Sequence, residues 1–173
     1  MAWTRRRKNH CLRIPEINIT MLFRITSFLF FFTCSEILAK PIDLFFGTGG
    51  RNSEGIYHAT FNPENGKFTP AKLAAKIGSP GFLSMHPNGQ ILYSLGRWDG
   101  SAGTLGYRIG SKGELKEFTR MACPDGSGAH IAVHPSGRFL ITAQYGGGSV
   151  AIFPLNKDGH LQKPTVIEHQ GGS

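Results

Sequence analysis

The chain has 173 residues, 40% hydrophobic and 17% charged, a globular composition that makes one domain the expectation. Its formal charge of +8 is uneven, with a net +4 in residues 1–39 and the rest scattered. No basic stripe interleaves with aromatics and no nucleic-acid motif occurs, which excludes nucleic acid as an expected partner.

Residues 1–24 are basic, residues 25–34 are a short apolar core, and Leu38-Ala39 precedes Lys40-Pro41. That is the layout of a secretory signal cleaved after a small residue, and it is too short for a stable membrane span of ~20 residues. Met21 is an alternative start that would give a compact signal. The competing reading is a buried apolar strand. Localisation follows: exported, periplasmic or secreted, if the leader is cleaved, and cytoplasmic otherwise. Cys11 and Cys34 lie in this leader, so cleavage leaves Cys123 alone with no intrachain disulfide, a packed thiol.

Past the leader the chain alternates short strands and tight turns. Residues 42–48 form an apolar strand. Gly47-Thr48-Gly49-Gly50 superficially suggests a dinucleotide turn, but a polar loop follows it and no helix begins there. Arg51 to Gly55 is a near miss for a serine nucleophile elbow, lacking the first glycine and the following helix. A strand over residues 55–61 leads to a turn at Asn65-Gly66. Residues 71–77 have helical propensity, yet their place in the pattern argues for an outer strand and linker.

The pattern is a repeat. His86-Pro87-Asn88-Gly89 and His134-Pro135-Ser136-Gly137 are type I turn signals 48 residues apart, each between two apolar strands. A third strand follows each, at residues 104–109 and 149–155, and Lys112-Gly113 and Asp158-Gly159 mark the next turns. A period in the high forties, all strand and turn, is the signature of a β-propeller blade. The expected fold is therefore all-β, with four-stranded antiparallel blades over residues 40–72 (incomplete), 73–119 and 120–165. Residues 166–173 begin whatever follows. Seven blades of ~47 residues need roughly 330 residues, and the 134 after the leader make about three. The chain is thus expected to be a partial ring, a fragment or a half that must associate, with apolar flanks bared on its terminal blades.

These residues resemble the N-terminal part of the seven-bladed propeller lactonases, a family that includes the propeller type of 6-phosphogluconolactonase and the fungal muconate lactonising enzymes. Phe45-Phe46-Gly47-Thr48, Ser79-Pro80-Gly81-Phe82-Leu83, His86 to Gly89, Pro135 to Leu140 and Tyr145 to Val150 carry the resemblance, which covers residues 42–173. Two positions depart from it: the family usually has Asn at Gln144, and commonly Pro at Gly128. The resemblance implies a hydrolase that opens a small-molecule sugar lactone, as in the pentose phosphate pathway, without a cofactor. The alternatives are a muconate-type isomerase and an inactive fragment or non-catalytic interaction propeller. A signal peptide sits awkwardly with a phosphorylated substrate, which favours a different lactone if the protein is exported.

Lactone hydrolysis needs a base, oxyanion donors and a cation for the substrate's anionic group. His130 is the candidate catalytic base, because the preceding repeat has Phe82 at its position; its alternative role is to tie neighbouring blades together. Arg97, Tyr145 and His169 are the candidate substrate-binding residues, with Arg51 a weaker cation. His86 and His134 open equivalent turns, and duplication at a turn argues for a structural role. Glu54 and Asp99 are loop acids with no evident partner. No His, Cys or Asp set has metal-ligand spacing.

Overall fold

The computed structural model describes residues 39–50, 52–123, 125–126 and 128–171. The expected leader, apart from Ala39, and Arg51 lie outside the described residues. All regular structure within them is β.

Three antiparallel sheets follow one another along the chain. The first contains β1 (Ile42–Gly47), β2 (Gly55–Asn62), β3 (Lys67–Phe68) and β4 (Lys72–Lys76). The second is the meander β5 (Leu83–Met85), β6 (Ile91–Trp98), β7 (Ser101–Ile109) and β8 (Leu115–Ala122). The third is the meander β9 (Gly128–Val133), β10 (Phe139–Gln144), β11 (Ser149–Pro154) and β12 (Thr165–Glu168). All three expected blade ends fall short: β4 carries the first sheet to Lys76, past residue 72, and β8 carries the second to Ala122, past residue 119. The outer strand of the third blade runs to Glu168, three residues past the expected blade end, because Thr165–Glu168 pairs with β11. Arg97 lies within β6, held by pairing with Ala102 on one side and Gly78 on the other.

The first sheet is built differently from its neighbours. By repeat position β1 matches β6 and β10, the second strand of a blade. Both of those have a partner on each side, whereas β1 pairs only with β2 among the described residues. Residues 72–76 form a strand despite their helical propensity, since β4 satisfies the outer edge of β2 where the short β3 ends.

The sheets pack face to face, each as a blade against the next. Ile56 and Ile77 of the first meet Leu92, Leu105, Tyr107 and Leu115 of the second. Ile91, Tyr93, Leu95 and Cys123 of the second meet Ile131, Leu140, Ala151, Phe153 and others of the third. Alternation explains the assignment: odd residues of β6 face forward to the third blade and Leu92 faces back to the first. Cys123 is a free, buried thiol in this seam, as a packed cysteine should be.

Polar bonds between blades reinforce the apolar seam. The Tyr93 hydroxyl donates to the Gly159 carbonyl at 2.6 Å. The Val133 amide donates to Ser84 Oγ at 3.0 Å. Asn88 N–H donates to His86 Nδ1, which leaves the His86 proton on Nε2, 3.1 Å from the carbonyl of Gly137 in the next blade's turn. Gly137 has φ 68° and its absent Cβ is the space the His86 ring fills. The expected structural role of the His-Pro turn is thus realised at His86.

Candidate active site

Antiparallel strands bring alternate connections to one end of the blades. The start of β9 and the ends of β6, β10 and β12 lie there together. His130, Arg97, Tyr145 and His169, four residues scattered over 73 positions of the sequence, therefore share one end of the blade array.

His130 sits near the start of β9 opposite Ala143. A bulge at Ala129 shifts the register, so Gly128 pairs with Gln144 and faces the second blade while His130 faces forward with Ala143. The imidazole is exposed, and its ring lies 5.5 Å from that of Phe82, the residue at the same rung of the preceding blade. Along the inner edge of the blades a phenyl ring and a titratable imidazole thus stand side by side.

Arg97 lines a cavity of about 240 Å³ with Ser79, Leu95, Gly96, Gly103 and Gly128. Three glycines leave main chain at its wall. Ser79 has φ 50°, an unusual conformation for a non-glycine residue and one that concentrates at functional positions. The cavity therefore combines a guanidinium, a hydroxyl residue and main-chain surface, the groups that hold an anion.

Tyr145 stands one repeat beyond Arg97 and is 90% exposed. His169 is exposed too, and its amide donates to the Gly148 carbonyl at 3.2 Å, which ties the end of β12 to the turn after Tyr145. That places Tyr145 and His169 together on the third blade, while Arg97 belongs to the cavity of the second.

One acid here escaped the sequence reading. Asp125, between β8 and β9, lays its carboxylate in the hollow of Gly147, where any Cβ would collide with it. Its approach depends on a glycine 22 residues away, so the only available signal was the triple glycine itself. The loop acids have plainer roles. Asp99, φ 46°, forms with Gly100 the two-residue hairpin between β6 and β7, and Glu54 pairs with exposed Lys76 at 3.6 Å.

Beneath this end lies a buried polar group. Gln144 Nε2 donates to Thr142 Oγ1 at 2.6 Å and to Cys123 Sγ at 3.4 Å. Gln144 Oε1 and Ser149 Oγ are buried without a partner among the described residues. The turn at Thr48 is self-contained: the Thr48 and Ser53 hydroxyls bond each other, and Thr48 Oγ1 donates to the Gly55 carbonyl at 2.7 Å. It is a turn between two strands, as expected, and not a nucleotide cradle.

A family model described as a lactonase, 7-bladed beta-propeller, matches residues 43–173. The 6-phosphogluconolactonase of Bacillus subtilis is 37% identical over 113 residues, covering 65% of this chain and 32% of the relative. That of Xenorhabdus nematophila is 30% identical over 123 residues, covering 69% of this chain and 35% of the relative. Among solved structures, a putative 6-phosphogluconolactonase from Bacteroides uniformis superposes with a TM-score of 0.71 at 26% identity, over 78% of this chain and 39% of that one. A periplasmic gluconolactonase of Pseudomonas aeruginosa does so at 0.69 and 25% identity, over 76% and 39%. The chain spans about a third of the length of the curated relatives it matches.

Proposed function

The chain belongs to the seven-bladed β-propeller lactonase family, and from that premise we propose that its blade ends serve the hydrolysis of a sugar lactone of the 6-phosphogluconolactone class. The observation that carries the reading is the Arg97 cavity, opening at the end of the blades where His130, Tyr145 and His169 also lie. In this reading His130 takes a proton from water as the water oxygen attacks the lactone carbonyl. The tetrahedral oxyanion collapses, the bond to the ring oxygen breaks, and the departing alkoxide takes up a proton to give the open hydroxy acid. Arg97 holds the substrate's phosphate by a charge-assisted contact. Tyr145 and His169 bound the mouth and contact sugar hydroxyls.

The relatives named 6-phosphogluconolactonase support the phosphorylated substrate. The signal-like layout of residues 1–39 and the likeness to a periplasmic gluconolactonase support an exported protein acting on an unphosphorylated lactone. The test is hydrolysis of 6-phosphoglucono-δ-lactone and of glucono-δ-lactone by the full chain, against the spontaneous rate. His130→Ala is expected to lower kcat by ~10²-fold or more. Arg97→Ala is expected to raise KM for the phosphorylated lactone alone. Turnover no faster than the spontaneous rate removes the enzymatic reading for this chain.

A further inference from the structure

The connections that lead into the second and third blades span the same step with different lengths. Ile77 and Cys123 each follow the outer strand of a blade, buried, and donate their amides to the Glu54 and Ala102 carbonyls. From Ile77 the chain reaches Phe82 with four residues between (78–81), whereas from Cys123 it reaches His130 with six (124–129). The shorter connection already closes the step, and Asp125 stands in the longer one. The packing beneath changes with it. Gly96, at the end of β6, leaves its hollow to the Ile77 side chain. One repeat on, Gln144 takes the place of Gly96 and Cys123 that of Ile77, and Gln144 Nε2 meets Cys123 Sγ at 3.4 Å. This buried pair anchors the root of the Asp125 connection.

The half-buried Asp125 carboxylate lies in the hollow of Gly147, yet it takes up no hydrogen bond or ion pair among the described residues. A carboxylate kept for the turn alone would accept the turn's main-chain N–H groups. One that accepts none is left for water or for the donors of a ligand. Its neighbours belong to the candidate site. The turn against which it lies carries Tyr145 and is tied to the His169 amide through Gly148. At the other end of its own connection Gly128 walls the Arg97 cavity.

We propose, resting on the lactone reading of this same blade end, that Asp125 accepts hydrogen bonds from substrate hydroxyls and so selects polyhydroxylated lactones over bare ones. A carboxylate has two oxygens and about four lone-pair sites, so it takes two neighbouring hydroxyls of a sugar ring at once. A lactone without hydroxyls leaves it unpaired and is rejected for that reason. Asp125 also repels an anionic group, whereas Arg97 attracts one. A substrate with a phosphate at one end and hydroxyls along its ring is thereby held in one direction, phosphate to Arg97 and hydroxyls to Asp125.

Steady-state hydrolysis by the full chain tests this with glucono-δ-lactone and with δ-valerolactone, the same ring without hydroxyls. The readout is the ratio of kcat/KM for the first lactone to that for the second, and far-UV circular dichroism checks that each variant is folded. Asp125→Ala is expected to lower the ratio ~10- to ~100-fold. Asp125→Asn keeps one acceptor oxygen and should lower it less. Gly147→Ala leaves Asp125 in the sequence but fills its hollow, and Gly147 has no positive φ that would strain an alanine. It should lower the ratio as Asp125→Ala does. A loss shared equally by both lactones leaves the ratio unchanged; that result in Asp125→Ala overturns the proposal while the lactonase reading stands. An unchanged ratio in Gly147→Ala overturns it too, because the carboxylate would then not act from that hollow. Hydrolysis of neither lactone above the spontaneous rate removes both readings together.

Discussion

β6 and β10 occupy the same rung of consecutive blades, yet they meet water differently. Six successive residues of β6, from Ile91 to Gly96, are buried, whereas β10 alternates strictly between exposed and buried. Residue by residue, Ile91 and Tyr93 are 1% and 0% exposed, while Phe139 and Ile141 are 38% and 37%. The side chains are equally apolar in both strands. What differs is that β6 lies between two blades and β10 beside one. In a repeat architecture, burial belongs to the neighbour as much as to the residue, and stability is a sum of blade and seam contributions.

The sharpest way to break this comparison is to empty one side chain from a seam and another from an open face. Phe153, fully buried between the second and third blades, should cost about 3–5 kcal/mol as Phe153→Ala. Ile141→Ala on the open face should cost under about 1 kcal/mol. Urea unfolding of dilute protein measures both, and equal losses would mean that the seam and the open face are not distinct environments.

A smaller effect probes the polar part of the same seam. Burial pushes the Tyr93 hydroxyl from 10.0 up to about 12, with Arg108 partly opposing the shift. The unfolded chain loses this proton first, so the stabilisation is whole below pH 10 and is lost as pH rises from 10 to 12. Tyr107 is raised in the same direction by burial and by Glu117. Tyr93→Phe removes the bond to Gly159 and should cost about 1 kcal/mol at neutral pH. It should also flatten the fall in melting temperature between pH 10 and 12 without abolishing it, since Tyr107 remains. A variant that melts on the same alkaline slope as the wild type would separate Tyr93 from that loss.

Much of this was legible in the chain because a blade is local. The two His-Pro turns set a period of 48, and that period placed residues 72–76 in an outer strand against their own propensity. The common end of His130, Arg97, Tyr145 and His169 also follows from strand order alone. The contacts that cross blades were not legible. Nothing near Asp125 announces that Gly147 receives its carboxylate, and the bulge at Ala129 separates Gly128 from the face of His130 only once β10 is beside it. The partners of β1 and of the forward face of β10 are likewise set by what packs there, which alternation along one strand does not encode.

The finest test of the contrast uses one residue type in one motif. His86 and His134 each accept a main-chain N–H at Nδ1 from the residue two ahead, and His134 Nδ1 also meets Ser136 Oγ at 2.8 Å. At Nε2, His86 is half-buried and bonded to Gly137, whereas His134 is exposed. His86→Ala removes the local bond and the bond between blades, and it uncovers Gly137; about 1 kcal/mol of stability should go with it. His134→Ala removes local bonds alone, to the Ser136 amide and hydroxyl, and should stay within about 0.5 kcal/mol in dilute protein. Because His134 also loses its contact with Ser136 Oγ, the difference between the two losses, read from paired urea titrations, gives a lower bound on the worth of the bond across the seam. If His134→Ala costs as much as His86→Ala, that bound is zero and the turn is held by its own imidazole.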